Sequence, residues 1–363
     1  MLICAGGTGG GVYPALAVHS ALKNLRPDVE TLWVGGEGGM ETRLVERAGI
    51  PIKTIPAAGL HGIAVRQLPR NLAAIMHGIS ASGAILKEFK PDVLLFTGGY
   101  VAVPMALAGR SIPALLYVPD IEPGLALKAL AYFAKCITVT SEDSRQFFSK
   151  NSHVVVTGYP VRADLAAWDK IMARAHFSIP AGRRVILVFG GSKGARSLNN
   201  ALMANLPGLL EQVDVVHVSG ELDWPEVEKN MQGLAPELAS HYHAFPYLHE
   251  EMGAALAAAD LVISRAGASV LGEFPLFGLP AILVPYPYAW RYQKVNADTL
   301  TRRGAALMIE DAKLASGLKM TIEKLLETPE KLDAMRTALL GLRTPNAARE
   351  IASQVIKLAG ENK

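Results

Sequence analysis

The chain has 363 residues, with 36 Lys and Arg against 33 Asp and Glu for a formal net charge of +3, and half of its residues are hydrophobic. That length and apolar content exclude a disordered chain and predict about two domains, each able to bury its own core. The near-balanced charge excludes the basic footprint of a dedicated nucleic-acid binder, and two cysteines, Cys4 and Cys136, are too few for a disulfide framework or a thiolate zinc site, which points to a reducing compartment.

From the N-terminus, short apolar runs alternate with amphipathic stretches, the pattern of βα units around a parallel sheet. No basic segment or apolar core of signal-peptide length opens the chain, so none is expected. Strands are predicted at 2–5, 31–35, 52–56, 93–97, 114–118, 136–140 and 154–157, and helices at 14–25, 41–48, 71–89, 101–108 and 124–134. Pro14 is expected in the first turn of its helix, where proline is tolerated best. The hydrophilic segment 158–182 reads as an interdomain connection. The alternation then restarts, with strands at 185–189, 213–218, 241–244, 261–264 and 281–285 and helices near 197–205, 250–258, 269–277 and 292–303, before an all-helical stretch from about Asp311. Mean hydropathy is high, at +0.23, yet the two uncharged stretches of near-spanning length, 93–109 and 274–290, are broken by Gly98, Gly99 and Pro104 and by Pro275, Pro280, Pro285 and Pro287. Each therefore reads as buried strand, loop and helix, and no membrane span is expected.

Three glycine-rich loops follow predicted strands. Gly6-Gly7-Thr8-Gly9-Gly10-Gly11 precedes a helix, which sets free backbone N–H groups and a helix N-terminus at the carboxyl end of the sheet, a geometry that binds phosphate. It lacks the Gly-Lys-Ser/Thr of a P-loop, and a tight structural turn is the plain alternative. Gly190-Gly191-Ser192-Lys193-Gly194-Ala195-Arg196 repeats the arrangement in the second half, and Gly98-Gly99-Tyr100 adds a hydroxyl; two such loops facing each other across a cleft suit a diphosphate donor. In Ser264-Arg265-Ala266-Gly267-Ala268-Ser269-Val270-Leu271-Gly272-Glu273 a small-residue turn opens a helix and sets Glu273 within it, where a carboxylate can accept from both hydroxyls of a ribose. Arg291, Tyr292, Gln293 and Asn296 are candidates for a sugar, with a helix cap and surface as the alternative.

Together the motifs resemble the MurG family, UDP-N-acetylglucosamine transferases acting on undecaprenyl-diphosphate-linked muramoyl-pentapeptide. The resemblance rests on the loops just quoted with Tyr13-Pro14-Ala15-Leu16-Ala17, Thr97-Gly98-Gly99-Tyr100-Val101, Gly158-Tyr159-Pro160-Val161-Arg162, Ser197-Leu198-Asn199, and Gln293 with Asn296-Ala297, and it covers nearly the whole chain. It implies an α/β GT-B fold of two doubly wound, Rossmann-like domains separated by a cleft. Residues 1–160 would form the acceptor and membrane-facing domain, 161–343 the UDP-sugar domain, and 344–363 a C-terminal helix packing back on the first.

The resemblance further implies inverting, cofactor-free and metal-independent transfer from UDP-N-acetylglucosamine to the 4-hydroxyl of the lipid-linked acceptor. The absence of an Asp-x-Asp pair agrees with that, since a helix N-terminus can supply positive potential to the departing UDP. Glu273 would hold the ribose, the turn Ala268, Ser269, Val270, Leu271 and Gly272 the diphosphate, Gln293 the sugar hydroxyls, Ser192 and Arg162 phosphate, and Leu248 the uracil through its backbone. Thr8, Gly9 and Gly10 would lie on the acceptor diphosphate or near the moving sugar, and Asn199, Arg265 and Asp120 are counted with the donor-contacting residues.

Two departures matter. The family usually has His after the first glycine run, where this chain has Gly11, and usually shows His-Glu-Gln-Asn where this chain has Tyr117-Val118-Pro119-Asp120. Asp120, in the Asn slot, is the expected general base, with Glu122 second and Tyr100 beside them; a surface turn around Pro119 and Pro123 is the alternative. A polyprenyl acceptor implies contact with an anionic membrane surface at the cytoplasmic face of the bacterial cell membrane. Leu60, Ile63 and Leu68, flanked by Arg66, Arg70 and Lys87, are expected to make that contact, while Leu72, Ile75 and Ile79 pack inward. Three alternatives stay open at this stage: another lipid acceptor, a UDP-sugar-binding protein without catalysis, and a UDP-sugar 2-epimerase, which the first-domain loops disfavour.

Overall fold

The computed structural model describes residues 1–7, 9–59, 65–191, 194–288 and 291–360. The chain divides into two compact units, Met1–Arg162 with Thr344–Lys363, and Ala163–Arg343.

In the first unit, strands β1 (Leu2–Ala5), β2 (Leu32–Gly36), β3 (Ile52–Ile55), β4 (Leu94–Gly98), β5 (Ala114–Val118), β6 (Cys136–Val139) and β7 (Val154–Val156) form a parallel sheet in the order β3-β2-β1-β4-β5-β6-β7. Alternate residues bury on opposite faces, as a pleated strand requires. Leu2, Cys4, Leu94, Phe96, Leu116 and Val118 pack under α3 (Leu68–Phe89), α4 (Ala102–Ala108) and α5 (Leu125–Leu130). Ile3, Ala5, Leu95, Leu115 and Tyr117 pack under α1 (Gly9–Leu25), α2 (Glu41–Arg47) and the last helix, 347–360, whose Ile351, Ala352, Val355 and Leu358 complete that core.

Pro14 departs from expectation. The helix begins at Gly9, so Pro14 lies inside it and denies the Gly10 carbonyl its usual helical donor. Glycines at Gly9, Gly10 and Gly11 have no side chains for the ring to crowd, which lets the helix start one turn earlier than the proline suggested.

The second unit has strands β8 (Arg184–Phe189), β9 (Val213–Val218), β10 (Tyr242–Phe245), β11 (Leu261–Ser264), β12 (Ala281–Leu283) and β13 (Ala306–Met308), parallel in the order β10-β9-β8-β11-β12-β13. Helices α6 (Lys170–His176), α7 (Arg196–Met203), α8 (Leu206–Leu210), α9 (Trp224–Gln232), α10 (Pro236–Ala239), α11 (Met252–Ala258), α12 (Val270–Phe277), α13 (Tyr292–Arg302), α14 (Leu314–Leu326) and α15 (Pro329–Leu340) surround it, and α16 (Ala347–Gly360) is the helix that joins the first unit.

Each sheet reverses its strand order once, between β1 and β4 and between β8 and β11. Ligands of such sheets bind at the carboxyl ends of the strands beside that switch point. The first two glycine motifs of the first half follow β1 and β4, and the glycine loop and Arg265 turn of the second half follow β8 and β11. No helix of the described residues is long and apolar enough to cross a membrane.

Candidate active site

At the first switch point, the loop after β1 and the loop after β4 touch through glycine backbone alone. A β-carbon on Gly99 would stand 2.5 Å from the Gly6 carbonyl oxygen, and Gly99 has φ +89°. The Thr97 hydroxyl donates to the Gly11 carbonyl at 2.7 Å, which locks the start of α1 against the end of β4. Gly9 and Gly10 are the first residues of α1, and the amides of a first turn have no partner within the helix. Arg162 stacks its guanidinium 4.7 Å over the ring of Tyr13, also in α1, so it belongs by contact to the first unit.

Beyond β5, the Thr140 hydroxyl lies 2.8 Å from both the Pro119 carbonyl and the Tyr117 hydroxyl, fixing the segment that carries Asp120. Asp120 is half-buried there. Its charge and, above all, burial push the Tyr117 phenol up, so Tyr117 stays neutral. Glu122 differs: it is 3% exposed and pairs with Lys128 at 3.4 Å. Tyr100 is exposed, with its ring against Gly59, where an added β-carbon would stand 2.8 Å from the ring; Asn71 donates to the Gly59 carbonyl at 2.6 Å.

At the second switch point, Arg265 is 9% exposed and is wholly engaged with protein groups. Its Nη1 donates to Asp311 and to the Val284 carbonyl, its Nη2 to the Ser197 hydroxyl at 2.8 Å, and Ser197 donates in turn to Asp311 at 2.7 Å. The guanidinium also faces the Tyr286 ring at 5.3 Å. Arg265 ties the start of α7, the ends of β11 and β12, and the segment after β13 into one cluster.

Asn199 is likewise held by protein groups. It gives its two N–H groups to the Ser219 carbonyl and Asp223, both at 2.9 Å. Its Oδ1 must then accept, which sets the proton of buried His217 on Nε2 at 3.1 Å and makes His217 Nδ1 the acceptor of the Tyr242 hydroxyl at 2.7 Å. Burial lowers the His217 pKa to about 4, against a weaker opposing pull from Asp223.

In the turn before α12, the N–H groups of Val270, Leu271, Gly272 and Glu273 are spent on carbonyls three or four residues back. The amides of Gly267, Ala268 and Ser269 have no backbone partner among the described residues. Glu273 stands half-buried in the first turn, and buried Asn296 donates to the Ala266 carbonyl at 3.1 Å, holding the turn. Gln293 accepts the Tyr286 N–H at 2.8 Å, which leaves its amide nitrogen for a ligand. Leu248 buries its side chain after β10. Thr8, Ser192, Leu60 and Ile63 lie outside the described residues.

On α3, Leu68, Leu72 and Met76 are 39%, 46% and 65% exposed and recur every fourth residue, so they form one outward row. Leu72 was expected inside; Gly78, Ser82, Ile85 and Leu86 are the residues that α3 buries.

Comparison with known proteins matches residues 1–139 to the glycosyltransferase family 28 N-terminal domain and 185–355 to its C-terminal domain. A UDP-N-acetylglucosamine--N-acetylmuramyl-(pentapeptide) pyrophosphoryl-undecaprenol N-acetylglucosamine transferase from Desulforudis audaxviator is 39% identical, with 99% of each chain covered. The chain belongs to the MurG family. A crystal structure of Acinetobacter baumannii MurG superposes with a TM-score of 0.76 at 27% identity, over 98% of this chain and 99% of that one. The UDP-GlcNAc 2-epimerase of Neisseria meningitidis, solved with UDP-GlcNAc, shares the fold at TM-score 0.68 and 15% identity, over 98% and 99% of the two chains. Fold alone is common to both neighbours, whereas membership of the MurG family rests on the sequence.

The supporting residues Glu41, Thr97, Ser197, His217, Asp223 and Asp311 were not singled out from the sequence as site residues. Thr97 and Ser197 stood in the quoted motifs, and Glu41 follows the glycine-rich stretch 35–39 by one residue.

Proposed function

We propose that this chain transfers N-acetylglucosamine from UDP-N-acetylglucosamine to the 4-hydroxyl of undecaprenyl-diphosphate-linked N-acetylmuramoyl-pentapeptide, with inversion at the anomeric carbon and no metal or other cofactor. The observation that carries this reading is the 39% identity with a transferase of that name along 99% of the chain. Two glycine loops, each beside the switch point of its own parallel sheet, support it.

The second unit holds the donor. Glu273 accepts from the ribose hydroxyls, the amides of Gly267, Ala268 and Ser269 with the α12 N-terminus hold the diphosphate, the Gln293 amide meets the sugar, and the Leu248 backbone meets uracil. The first unit holds the acceptor diphosphate at Gly9 and Gly10, with Arg162 close by on Tyr13. Asp120 takes the proton of the 4-hydroxyl as that oxygen bonds the anomeric carbon and the bond to UDP breaks, a role that typically contributes about 10²–10⁴-fold. The row Leu68, Leu72 and Met76, with exposed Arg66 and Arg70, meets the anionic cytoplasmic face of the cell membrane.

The test is UDP release by purified protein given UDP-N-acetylglucosamine, with and without a short-chain muramoyl-pentapeptide diphosphate lipid, and the product mass. Acceptor-dependent release with one added N-acetylhexosamine is expected. Donor binding without release would sink the reading. The packing at Gly11 favours one second reading, a transferase for another lipid acceptor: a β-carbon there would stand 3.2 Å from the Thr97 carbonyl oxygen, so the position is closely packed around glycine, where the family resemblance leads one to expect His. Acceptor profiling separates the two.

A further inference from the structure

Glu41, the first residue of α2, turns its carboxylate under the first glycine loop, where it is 1% exposed. Oε2 accepts the N–H of Gly7 at 3.2 Å, and Oε1 accepts that of Gly36 at 2.8 Å. The surroundings are shaped to this group. A β-carbon on Gly6 or on Gly39 would stand 2.3 Å from Oε1, and one on Gly35 would stand 3.1 Å from it. Gly6, which closes one side of this socket, is the residue against which Gly99 packs from the β4 loop. Among the described residues no Lys or Arg pairs with the carboxylate. What meets it instead is backbone N–H, from Gly7 and Gly36. The Cys4 thiol, pushed up first by burial and then by Glu41, lies within reach of that charge.

We propose that Glu41 is a positioning residue for the acceptor: its buried carboxylate is a fixed hydrogen-bond acceptor at the base of the first glycine loop. It holds Gly7 in the left-handed conformation, φ +90°, and so aims the amides of Gly9 and Gly10 at the acceptor diphosphate. A run of glycines has more conformational freedom to lose than any other sequence, so without a fixed partner the loop must be ordered at the expense of ligand affinity. This inference rests on the transfer reading above, with the acceptor in the first unit.

The experiment uses the full chain and two variants. Glu41→Gln keeps the shape but turns one N–H₂ edge toward a backbone N–H, and Gly39→Ala drives a β-carbon into the carboxylate while leaving its charge. Hydrogen bonds to charged groups contribute about ten- to a hundredfold when lost. Both variants are expected to raise the KM for the short-chain acceptor by about tenfold or more, to leave the KM for UDP-N-acetylglucosamine unchanged, and to speed amide exchange in the peptide covering residues 1–12 while the 185–196 peptide keeps its protection. Glu46→Gln, exposed on the same helix, is the control and is expected to match the wild type. An unchanged acceptor KM with retained protection overturns the proposal, and so does a parallel rise of both KM values, which is the mark of general unfolding. If the wild type shows no acceptor-dependent release, the transfer reading fails by itself, and the exchange comparison still decides whether Glu41 holds the loop.

Discussion

The two glycine loops look alike as sequences, and each stands at the switch point of a parallel sheet, but what lies beneath them differs in charge. Under the first is a lone carboxylate, Glu41, bonded to backbone N–H groups. Beside the second are balanced pairs, Arg265 with Asp311 and Arg196 with Asp223, and a neutral relay of Asn199, His217 and Tyr242. A glycine loop thus specifies backbone shape, while the potential inside it is set by side chains far away in sequence. In the first unit, shape and potential depend on one residue; in the second they are spread over a network.

The sharpest way to test that division is to remove the chemistry from one unit and ask whether the other notices. Asp120→Asn is expected to lower kcat by about 10²–10⁴-fold with donor KM unchanged, read from initial UDP-release rates; a variant within a fewfold of wild type would break the assignment. Arg265→Ala should do the opposite. It leaves Asp311 and Ser197 without their partner, and loss of one member of a buried pair costs about 3–5 kcal/mol, seen as a melting temperature lower by roughly 10 °C together with weaker UDP binding by calorimetry. Arg265→Lys should recover little, because an ammonium cannot serve three acceptors in a planar fork.

His217 sharpens the comparison through pH. Its pKa is about 4 in the folded chain against an ordinary 6.5, so between those values the unfolded chain binds the extra proton and stability rises with pH. Stability from this group is full above about pH 6.5 and is lost as pH falls toward 4, by up to roughly 3 kcal/mol. Denaturant titrations of His217→Gln should lack that slope, and an unaltered slope would remove His217 as its source. The smallest effect is expected on the outer row of the first unit: Met76→Ser should weaken binding to anionic vesicles severalfold, by about 1 kcal/mol, without changing the melting temperature, because Met76 is already exposed.

Much of the fold was legible because parallel strands buried on both faces read as short apolar runs; β1, β5, β9 and β11 begin and end where those runs do. The strand β13 was missed because Ala306, Leu307 and Met308 are too few to stand out from their surroundings. Helix α6 lies in the stretch read as a connection; its polar surface hid it, although Asp169 caps it by accepting the Met172 N–H. In the candidate site, loops announce themselves by glycine spacing, which is how Gly9, Gly10, Ala268 and Glu273 were singled out. Arg265 and Asn199 sit in the same motifs but point inward, and motif membership does not distinguish a side chain that touches ligand from one that holds the loop. Only the bonds to Asp311, Ser219 and Asp223, over tens of residues in sequence, make that distinction.

Helix α16 belongs to the first unit although the whole second unit precedes it in the chain. Its Ile351, Ala352, Val355 and Leu358 cover one face of the first sheet, beside Val12, Ala15 and Val18 of α1. During synthesis the first unit is therefore begun first and finished last. It must wait on the ribosome with an apolar face uncovered while the second unit, contiguous in sequence, can close by itself.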